Sequence, residues 1–437
     1  MRVVTCRVLF KLDMPPSLAN RLLFHTSPPP PQIFSSQNLQ GTELTAEIYD
    51  FLALALRAYI SPWWSKITRY DRDLLPQTAH ILIHVIRTLE SRCSKVDWPK
   101  LVFHDVPAIL TQHYRDFRSA QAKVGTSYAH GGAVSLPELF AAIQPHMAFA
   151  NGEINPEYYR QIFDRILSVC LPPEDYEPEA EGFIIREVLV NVLLVDLIPR
   201  ITQPWFIHKL LLDLCDDPES PTTTITTTAS SSSNLLVIAL SAIQAFSGFC
   251  LALIHAYKRA IKLIHQHTKS QPQHMYILQF ISELISTSEH FAPSLILAIL
   301  SVLSALSFSF LLPSQSQPSQ PLLDVLLPSL LVSHLSSPSF MLTTTRTTKR
   351  LLFPNGYPGP PPPVPSPEEQ QLLRNRLTNI WRRQTLAATL VLGPNPTKTL
   401  ESAVDPLSDP SCNSRLVVFL VDRLLGALMP ELEGVDS

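Results

Sequence analysis

The chain has 437 residues, with 34 Lys and Arg against 37 Asp and Glu and a formal net charge of −3. This balance, without any long basic block, excludes the electrostatic footprint of a nucleic-acid-binding protein, and we expect no nucleic-acid partner. Charged residues make up only 16% of the chain, whereas typical soluble domains carry about 25%. The composition therefore favours contact with a membrane or with an apolar ligand.

The cysteines are scattered and form neither a CxxC motif nor a metal-like pair, so we interpret them as reduced residues of a cytosolic protein. They are Cys6, Cys93, Cys170, Cys215, Cys250 and Cys412. The basic N-terminus could alternatively be a mitochondrial presequence, although it is short and interrupted by prolines. The pattern of a secretory signal peptide is not found.

Residues 1–40 end in a proline- and serine-rich run and are predicted to be disordered. From residue 41 to 217 apolar residues recur at helical spacing without a β-period, which predicts an all-α domain. The predicted helices are Thr45–Ile60, Leu74–Cys93 with Asp73 as N-cap, Val106–Phe117, Leu136–Ala148 and Pro156–Val169.

The domain is organised around the stretch Phe183–Cys215. Its first part, Phe183–Ile198, lies between Gly182 and Pro199 and is apolar almost all round. At about 1.5 Å per residue it is shorter than the ~30 Å hydrocarbon core of a bilayer, so we predict a buried core helix. Pro199 is expected to end this helix, and a second helix is expected from Trp205, with Pro204 near its first turn.

A threonine- and serine-rich linker, 218–233, precedes a hydrophobic helical region at 234–312. Two segments of this region, Leu235–Ile254 and Phe291–Leu312, contain no charged residue. They are long enough to form a membrane hairpin, and the alternative is that they complete an apolar cavity. The candidate lipid-contacting residues are Leu235, Leu236, Ile238, Phe246, Leu251, Leu295, Leu297, Leu300 and Leu303.

A low-complexity, proline-rich linker is predicted over 313–367. Its end, Pro358–Pro367, could bind an SH3 or WW domain as a polyproline helix, or it could be a plain spacer. Residues 368–437 are predicted to form C-terminal helices. The last of them is strongly hydrophobic and carries Asp422 and Arg423 in its interior.

No motif for catalysis or metal binding is complete, so we predict no enzyme, no cofactor and no metal site. His80 and His84 have helical ligand spacing but lack the glutamate of HExxH, and no GxSxG sequence is present. Asp71 and Asp73 could bind a metal or act as an acid–base pair; capping of the following helix is the alternative. Tryptophans 63, 64 and 205 could lie at a bilayer interface or pack in the core.

Residues 45–215 resemble the PXA (PX-associated) domain of the sorting-nexin family, and more closely the fungal proteins that carry a PXA domain without a PX domain. The matching segments are Pro62–Ile67, Asp71–Asp73, Asp97–Arg115, Leu171–Tyr176, Arg186–Leu189 and Gln203–Ile207. The family-motif residues that we single out are Pro62, Trp63, Trp64, Asp73, Arg186, Glu187, Pro204 and Trp205.

The resemblance implies a helical module on the cytosolic face of the endoplasmic reticulum, endosome or vacuole. It also implies a C-terminal, nexin-like helix that folds back on the PXA-like domain. We therefore expect a non-enzymatic, membrane-associated lipid-binding or tethering protein whose partners are the acyl chains of membrane lipids. The alternative is a membrane-anchored scaffold that recruits partners through the PXA domain and the proline-rich segment.

Overall fold

The structure, a computed structural model, is all-α as predicted, with one short β-hairpin. It describes residues 18–24, 32–34, 39–68, 70, 73–128, 135–150, 152–176, 179–215, 274–285, 322–335, 337–359, 363–379, 392 and 395–434. The candidate lipid-contacting residues between 235 and 303 lie outside them.

The helices of the N-terminal half are α1 (Leu18–Leu23), α2 (Leu39–Tyr59), α3 (Ser61–Ile67), α4 (Leu74–Cys93), α5 (Trp98–Lys100), α6 (Val106–Lys123), α7 (Leu136–Ile143), α8 (Pro156–Cys170), α9 (Pro173–Tyr176), α10 (Glu179–Asn191), α11 (Ile198–Ile201) and α12 (Pro204–Cys215). π-helical turns, Leu101–Asp105 and Val192–Leu197, join α5 to α6 and α10 to α11. Strands β1 (Phe149–Ala150) and β2 (Glu153–Ile154) pair antiparallel, with Phe149 opposite Ile154.

The helices of the C-terminal half are α13 (His274–Ile285), α14 (Leu322–Leu335), α15 (Pro338–Leu352), α16 (Pro367–Thr378), α17 (Pro396–Val404) and α18 (Pro410–Leu428). Short 3₁₀ turns follow α17 at Asp405–Leu407 and α18 at Pro430–Glu433.

Many prolines stand in the first turn of a helix, where a backbone N–H would have no acceptor within the helix and its absence costs nothing. Pro338 and Pro410 are examples. Pro199 stands in the first turn of α11, but α11 follows directly on the π-helical turn, so the helical path neither begins nor ends at this proline. The prediction that Pro199 ends the helix is therefore wrong, and the helical path continues to Ile201.

The chain divides into two compact units. The first contains residues 1–94, 170–172 and 335–362, and α2 lies at its centre. Helices α1, α4 and α15 pack against α2. The ion pair between Arg346 and Glu47, 2.9 Å from Nε to Oε1, and a second pair from Lys349 to Glu47 join α15 to α2. The buried core consists of Ala19, Leu23, Ile33, Tyr49, Leu52, Ala53, Leu56, Ala79 and Ile83.

This first unit differs from the sequence-based domain plan in two places. Helix α1 falls within residues 1–40, which were expected to be disordered, yet its apolar face packs on α2 and α4. Helix α15 falls within the expected linker 313–367, yet Leu342 is buried. Helix α15 was missed because its sequence is rich in threonine and poor in apolar residues, and because its packing and ion pairs on α2 involve residues distant in sequence.

The second unit contains residues 95–169, 173–334 and 363–437, and α6 is its central element. Helix α13 packs along α6. Arg118 of α6 pairs with Glu283 of α13, 2.8 Å from Nη1 to Oε1, and the rings of Tyr114 and Phe280 meet edge to face at 5.8 Å. Phe117, Ala120, Leu139, Phe140 and Cys412 form one of its buried clusters.

The C-terminal helix α18 folds back on α6, α7 and α11, as the resemblance implies. Cys412, Asn413 and Val418 are completely buried on its inner face. The side chain of Asn413 donates to the carbonyl oxygens of Thr202 and Leu407, each at 2.9 Å. This helix therefore supplies part of the interior of the second unit.

The predicted burial of Phe183–Ile198 is wrong. Val190 and Ile198 are buried, but Ile184, Val188 and Val195 expose more than half of their surface. A helix can be apolar on all sides and still expose one face to water, because burial depends on which other elements pack against it and hydropathy does not report this.

Within the part of the chain that the structure describes, every helix is too short or too polar to cross a bilayer.

We predict that Leu416→Ala in α18 lowers the free energy of unfolding by about 2–5 kcal/mol, because Leu416 is buried and truncation leaves a cavity. Leu424→Ala, at a position that is 38% exposed, is the matched control on the same helix and should cost clearly less. Urea denaturation of the full chain measures both. Equal losses would mean that α18 is not packed as described.

Candidate functional site

The most prominent surface feature of the second unit is an exposed apolar face on α10 and the π-helical turn that follows. We call Ile184, Val188, Val192 and Val195 the apolar stripe. The spacing of four residues puts Ile184, Val188 and Val192 on one side of the helix, and Val195 follows in the π-helical turn. The opposite side carries Val190 and Ile198, which pack with Tyr159 of α8 in a separate core cluster.

Ion pairs hold α10 to α8 and so fix the direction of the apolar stripe. Arg186 pairs with Asp164 at 2.6 Å, and Arg160 pairs with Glu187 at 2.9 Å. The hydrogen bond from Arg160, with the charge of that guanidinium, holds the pKa of Glu187 below its usual value. The Arg186 guanidinium also lies 4.5 Å from the centre of the Phe183 ring.

The family-motif residues Arg186 and Glu187 therefore position a surface and leave no charged group free for a ligand. The two side chains form an ion pair with each other, and each forms a further ion pair with a residue of α8. This positioning role is visible only once Arg160 and Asp164 are brought beside them.

Pro204 and Trp205 open α12, and Trp205 is buried, which favours the core alternative for this tryptophan. Its ring meets that of Phe206 edge to face at 5.9 Å. At the other end of α12, Leu210 and Leu214 are exposed. The apolar surface of the second unit thus extends beyond the stripe.

The other family-motif residues, Pro62, Trp63, Trp64 and Asp73, belong to the first unit. Pro62 opens α3, and the two indole rings meet edge to face at 5.6 Å. Trp63 is 48% exposed, whereas Trp64 is half-buried. Asp73 stands at the N-cap position of α4, as predicted, but its side chain makes no capping hydrogen bond.

A polar cluster that sequence reasoning missed joins α18 to the start of α8. The Tyr158 hydroxyl donates to Oδ2 of Asp422 at 2.6 Å, and His146 Nε2 lies 3.0 Å from the same oxygen. Nδ1 of His146 accepts from the backbone N–H of Ala148, so Nε2 carries the proton and donates. Burial raises the pKa of Asp422. The only sequence signal was an aspartate inside an apolar helix.

His113 lies at the centre of the second unit and is 1% exposed. Its Nε2–H donates to the carbonyl oxygen of Pro406 at 3.1 Å, and its ring contacts Phe140. The neighbouring Tyr114 hydroxyl donates to the carbonyl oxygen of Ala403 at 2.8 Å. Burial lowers the pKa of His113 to about 4. This histidine is a structural link to the C-terminal segment.

The described residues contain no group of three or more His, Cys, Asp or Glu side chains that could hold a metal ion. His80 and His84 are both exposed on α4. One cleft of about 440 Å³ lies between α16 and α17. Its lining is polar and suits no acyl chain: Gln371, Arg374, Asn375, Thr378, Glu401 and Asp405.

The apolar stripe and the family-motif residues lie in a region that matches a known family. Residues 41–214 match the family model of the PXA domain. PXA domain protein 1 of Schizosaccharomyces pombe is 24% identical over 172 residues, which cover 39% of this chain and 34% of that protein. Sorting nexin-13 of Mus musculus is 21% identical over 192 residues, covering 41% of this chain and 20% of that protein. Sorting nexin-25 of Homo sapiens is 25% identical over 167 residues, covering 38% and 18%.

This chain therefore spans about a third of the length of the yeast relative and about a fifth of the sorting nexins. No solved structure matches the chain significantly.

We predict that acidification destabilises the protein through His113. Its pKa is about 4 when folded and 6.5 when exposed, so the unfolded chain binds the proton more readily between these values. Stability is therefore lost as the pH falls through this window, by roughly 2 kcal/mol from neutral pH to about pH 5.

The variant His113→Gln keeps an N–H donor for Pro406 but does not titrate, so its stability should fall less over the same range. Urea denaturation of both proteins at each pH gives the difference. Asp422, whose raised pKa acts in the opposite direction, is common to both proteins and cancels. Parallel pH profiles would contradict the prediction.

Proposed function

We propose that this chain, whose residues 41–214 are a PXA domain homologous to those of sorting nexins, is a non-enzymatic, membrane-associated lipid-binding or organelle-tethering protein. None of the matched relatives is named as an enzyme. The name sorting nexin supports a role in membrane trafficking, and we place the protein on the cytosolic face of the endoplasmic reticulum, endosome or vacuole.

The observation that carries this proposal is the apolar stripe. From Ile184 to Val195 it runs about 16 Å along the helix at ~1.5 Å per residue. That length is close to the ~15 Å depth of one bilayer leaflet, so the stripe can accommodate much of an acyl chain. Burying a fully exposed valine or isoleucine side chain contributes about 1.5–3 kcal/mol, and each of these four side chains, half to two-thirds exposed, would contribute a corresponding fraction.

The surroundings of the stripe favour acyl chains over headgroups. Between residues 182 and 197 the exposed polar side chains are Asn191 and Asp196, and Asp196 would repel an anionic headgroup. Arg186, the nearest cation in sequence, is already paired with Asp164. The attraction is therefore the removal of apolar surface from water.

A specific observation keeps the adaptor function as a second candidate. On either side of residues 360–362, Pro358 and Val364 are exposed, and Tyr357, next to Pro358, is 64% exposed. A proline-rich sequence between exposed residues is suited to recruiting an SH3 or WW domain. In that case the PXA domain and this segment would bind proteins, and lipid would serve only for anchoring.

We predict that full-length protein purified without detergent carries lipid, and that Ile184→Ser combined with Val188→Ser and Val195→Ser removes most of it. These substitutions lie on an exposed face, so each should change stability by no more than about 0.5 kcal/mol. Mass spectrometry of organic extracts measures bound lipid per protein, and circular dichroism checks that both proteins are folded.

The matched control is Val364→Ser combined with Leu330→Ser, which removes exposed apolar side chains outside the PXA domain. It should retain the lipid of the wild type. Equal lipid in the stripe variant and the control would contradict the proposed role of the stripe. Wild-type protein without lipid that captures an SH3 or WW domain would favour the adaptor function.

A further inference from the structure

A second exposed surface, in the first unit, has a different chemical character from the apolar stripe. We call Tyr59, Trp63, Ile67, Leu352 and Tyr357 the aromatic patch. Every member is about half exposed or more, from 48% for Trp63 to 68% for Ile67. The patch thus presents one indole, two phenol groups and two aliphatic side chains to solvent.

The first three members share one side of a nearly continuous helical path. Tyr59 ends α2, Ile60 keeps a helical backbone conformation, and α3 begins at Ser61. The backbone N–H of Trp64 donates to the carbonyl oxygen of Ile60 at 3.1 Å, which carries the helical turn across the junction. A spacing of four residues from Tyr59 to Trp63 and again to Ile67 aligns them.

The other two members lie beside the end of α2. The ring of Tyr59 meets that of Phe353 at 6.5 Å between centroids, which places the end of α15 next to it. Leu352 directly precedes Phe353. The Arg57 guanidinium lies 4.7 Å from the centre of the Tyr357 ring and donates to the carbonyl oxygen of Gly356. The patch is therefore one surface built from α2, α3 and the end of α15.

The charges around the patch are basic. Lys66 of α3 and Arg350 of α15 are exposed, and neither helix contains an aspartate or glutamate. Two acidic side chains of α2 face α15, and both are paired with its basic residues: Glu47 with Arg346 and Lys349, and Glu43 with Arg346 at 3.7 Å. A negatively charged surface is the complementary partner.

We infer that the aromatic patch docks on the interfacial region of a bilayer that contains anionic lipids. Tryptophan and tyrosine are favoured at that depth because their rings are apolar and their N–H and O–H groups remain hydrated, and lysine and arginine beside them meet lipid phosphates. Ile67 and Leu352 would enter the boundary with the acyl chains. The inference rests on the proposed membrane association but concerns another surface than the apolar stripe.

The experiment compares full-length wild type with Trp63→Ser/Ile67→Ser in co-sedimentation with vesicles of phosphatidylcholine alone or mixed with phosphatidylserine. We expect the wild type to prefer the mixed vesicles and the variant to bind them roughly tenfold more weakly or worse. Met341→Ser, which removes an exposed apolar side chain from the first turn of α15, is the matched control and should bind like the wild type.

A second variant, Lys66→Glu/Arg350→Glu, leaves the apolar surface intact and should abolish the preference for phosphatidylserine. It keeps the inference testable even where the first variant folds poorly. Wild-type protein that binds neither vesicle, or a patch variant that binds as tightly as the wild type, would overturn the inference.

Lipid retained after purification, measured on the same samples, separates this inference from the proposed function. A patch variant that loses vesicle binding but keeps its lipid supports both. Patch-dependent vesicle binding by a protein without lipid supports the docking surface and overturns lipid binding at the stripe. Retained lipid, together with vesicle binding that does not depend on the patch, supports lipid binding at the stripe and overturns the docking surface.

Discussion

The second unit depends on a helix that lies outside the PXA match. Helix α18 begins at Pro410, whereas the matched region ends at residue 214. Cys412 packs among Phe117 and Phe140, and Asn413, completely buried, uses its amide to satisfy the carbonyl oxygen of Thr202. A buried carbonyl left without a donor costs about 1–3 kcal/mol, so the matched residues alone would lose both packing and hydrogen bonds. The folding unit is thus larger than the stretch of recognisable sequence.

The dependence of the second unit on its C-terminal segment also explains the positions of several titratable side chains. His113 donates to Pro406, Tyr158 donates to Asp422, and Arg423 reaches Asp105 at 2.7 Å. Each contact pairs a residue of the PXA region with one of the C-terminal segment. Such buried polar links fix the register of α18 on its neighbours more specifically than leucine packing can. A nucleophile or metal centre is not needed to explain why these groups are buried.

The fold class could be predicted from the sequence, because apolar residues at helical spacing and the lack of a β-period are local signals. Helix α4 was predicted with the bounds that it has, Leu74–Cys93. What could not be predicted was which apolar faces have neighbours. Val188 and Val190 are both apolar and close in the same helix, yet only Val190 is buried. Burial depends on α8, and the position of α8 depends on Arg160 and Asp164, which no local pattern connects to α10.

The two exposed surfaces differ in chemistry in a way that a single lipid role does not explain. The apolar stripe consists of aliphatic side chains, without any polar tip, and its neighbour Asp196 is acidic. The aromatic patch carries one indole and two phenol groups beside Lys66. Aliphatic surface is stabilised most by hydrocarbon, whereas amphipathic rings with adjacent cations are stabilised most at the level of the headgroups. A protein that contacts acyl chains with one surface and the membrane interface with the other would need both, and neither surface could replace the other.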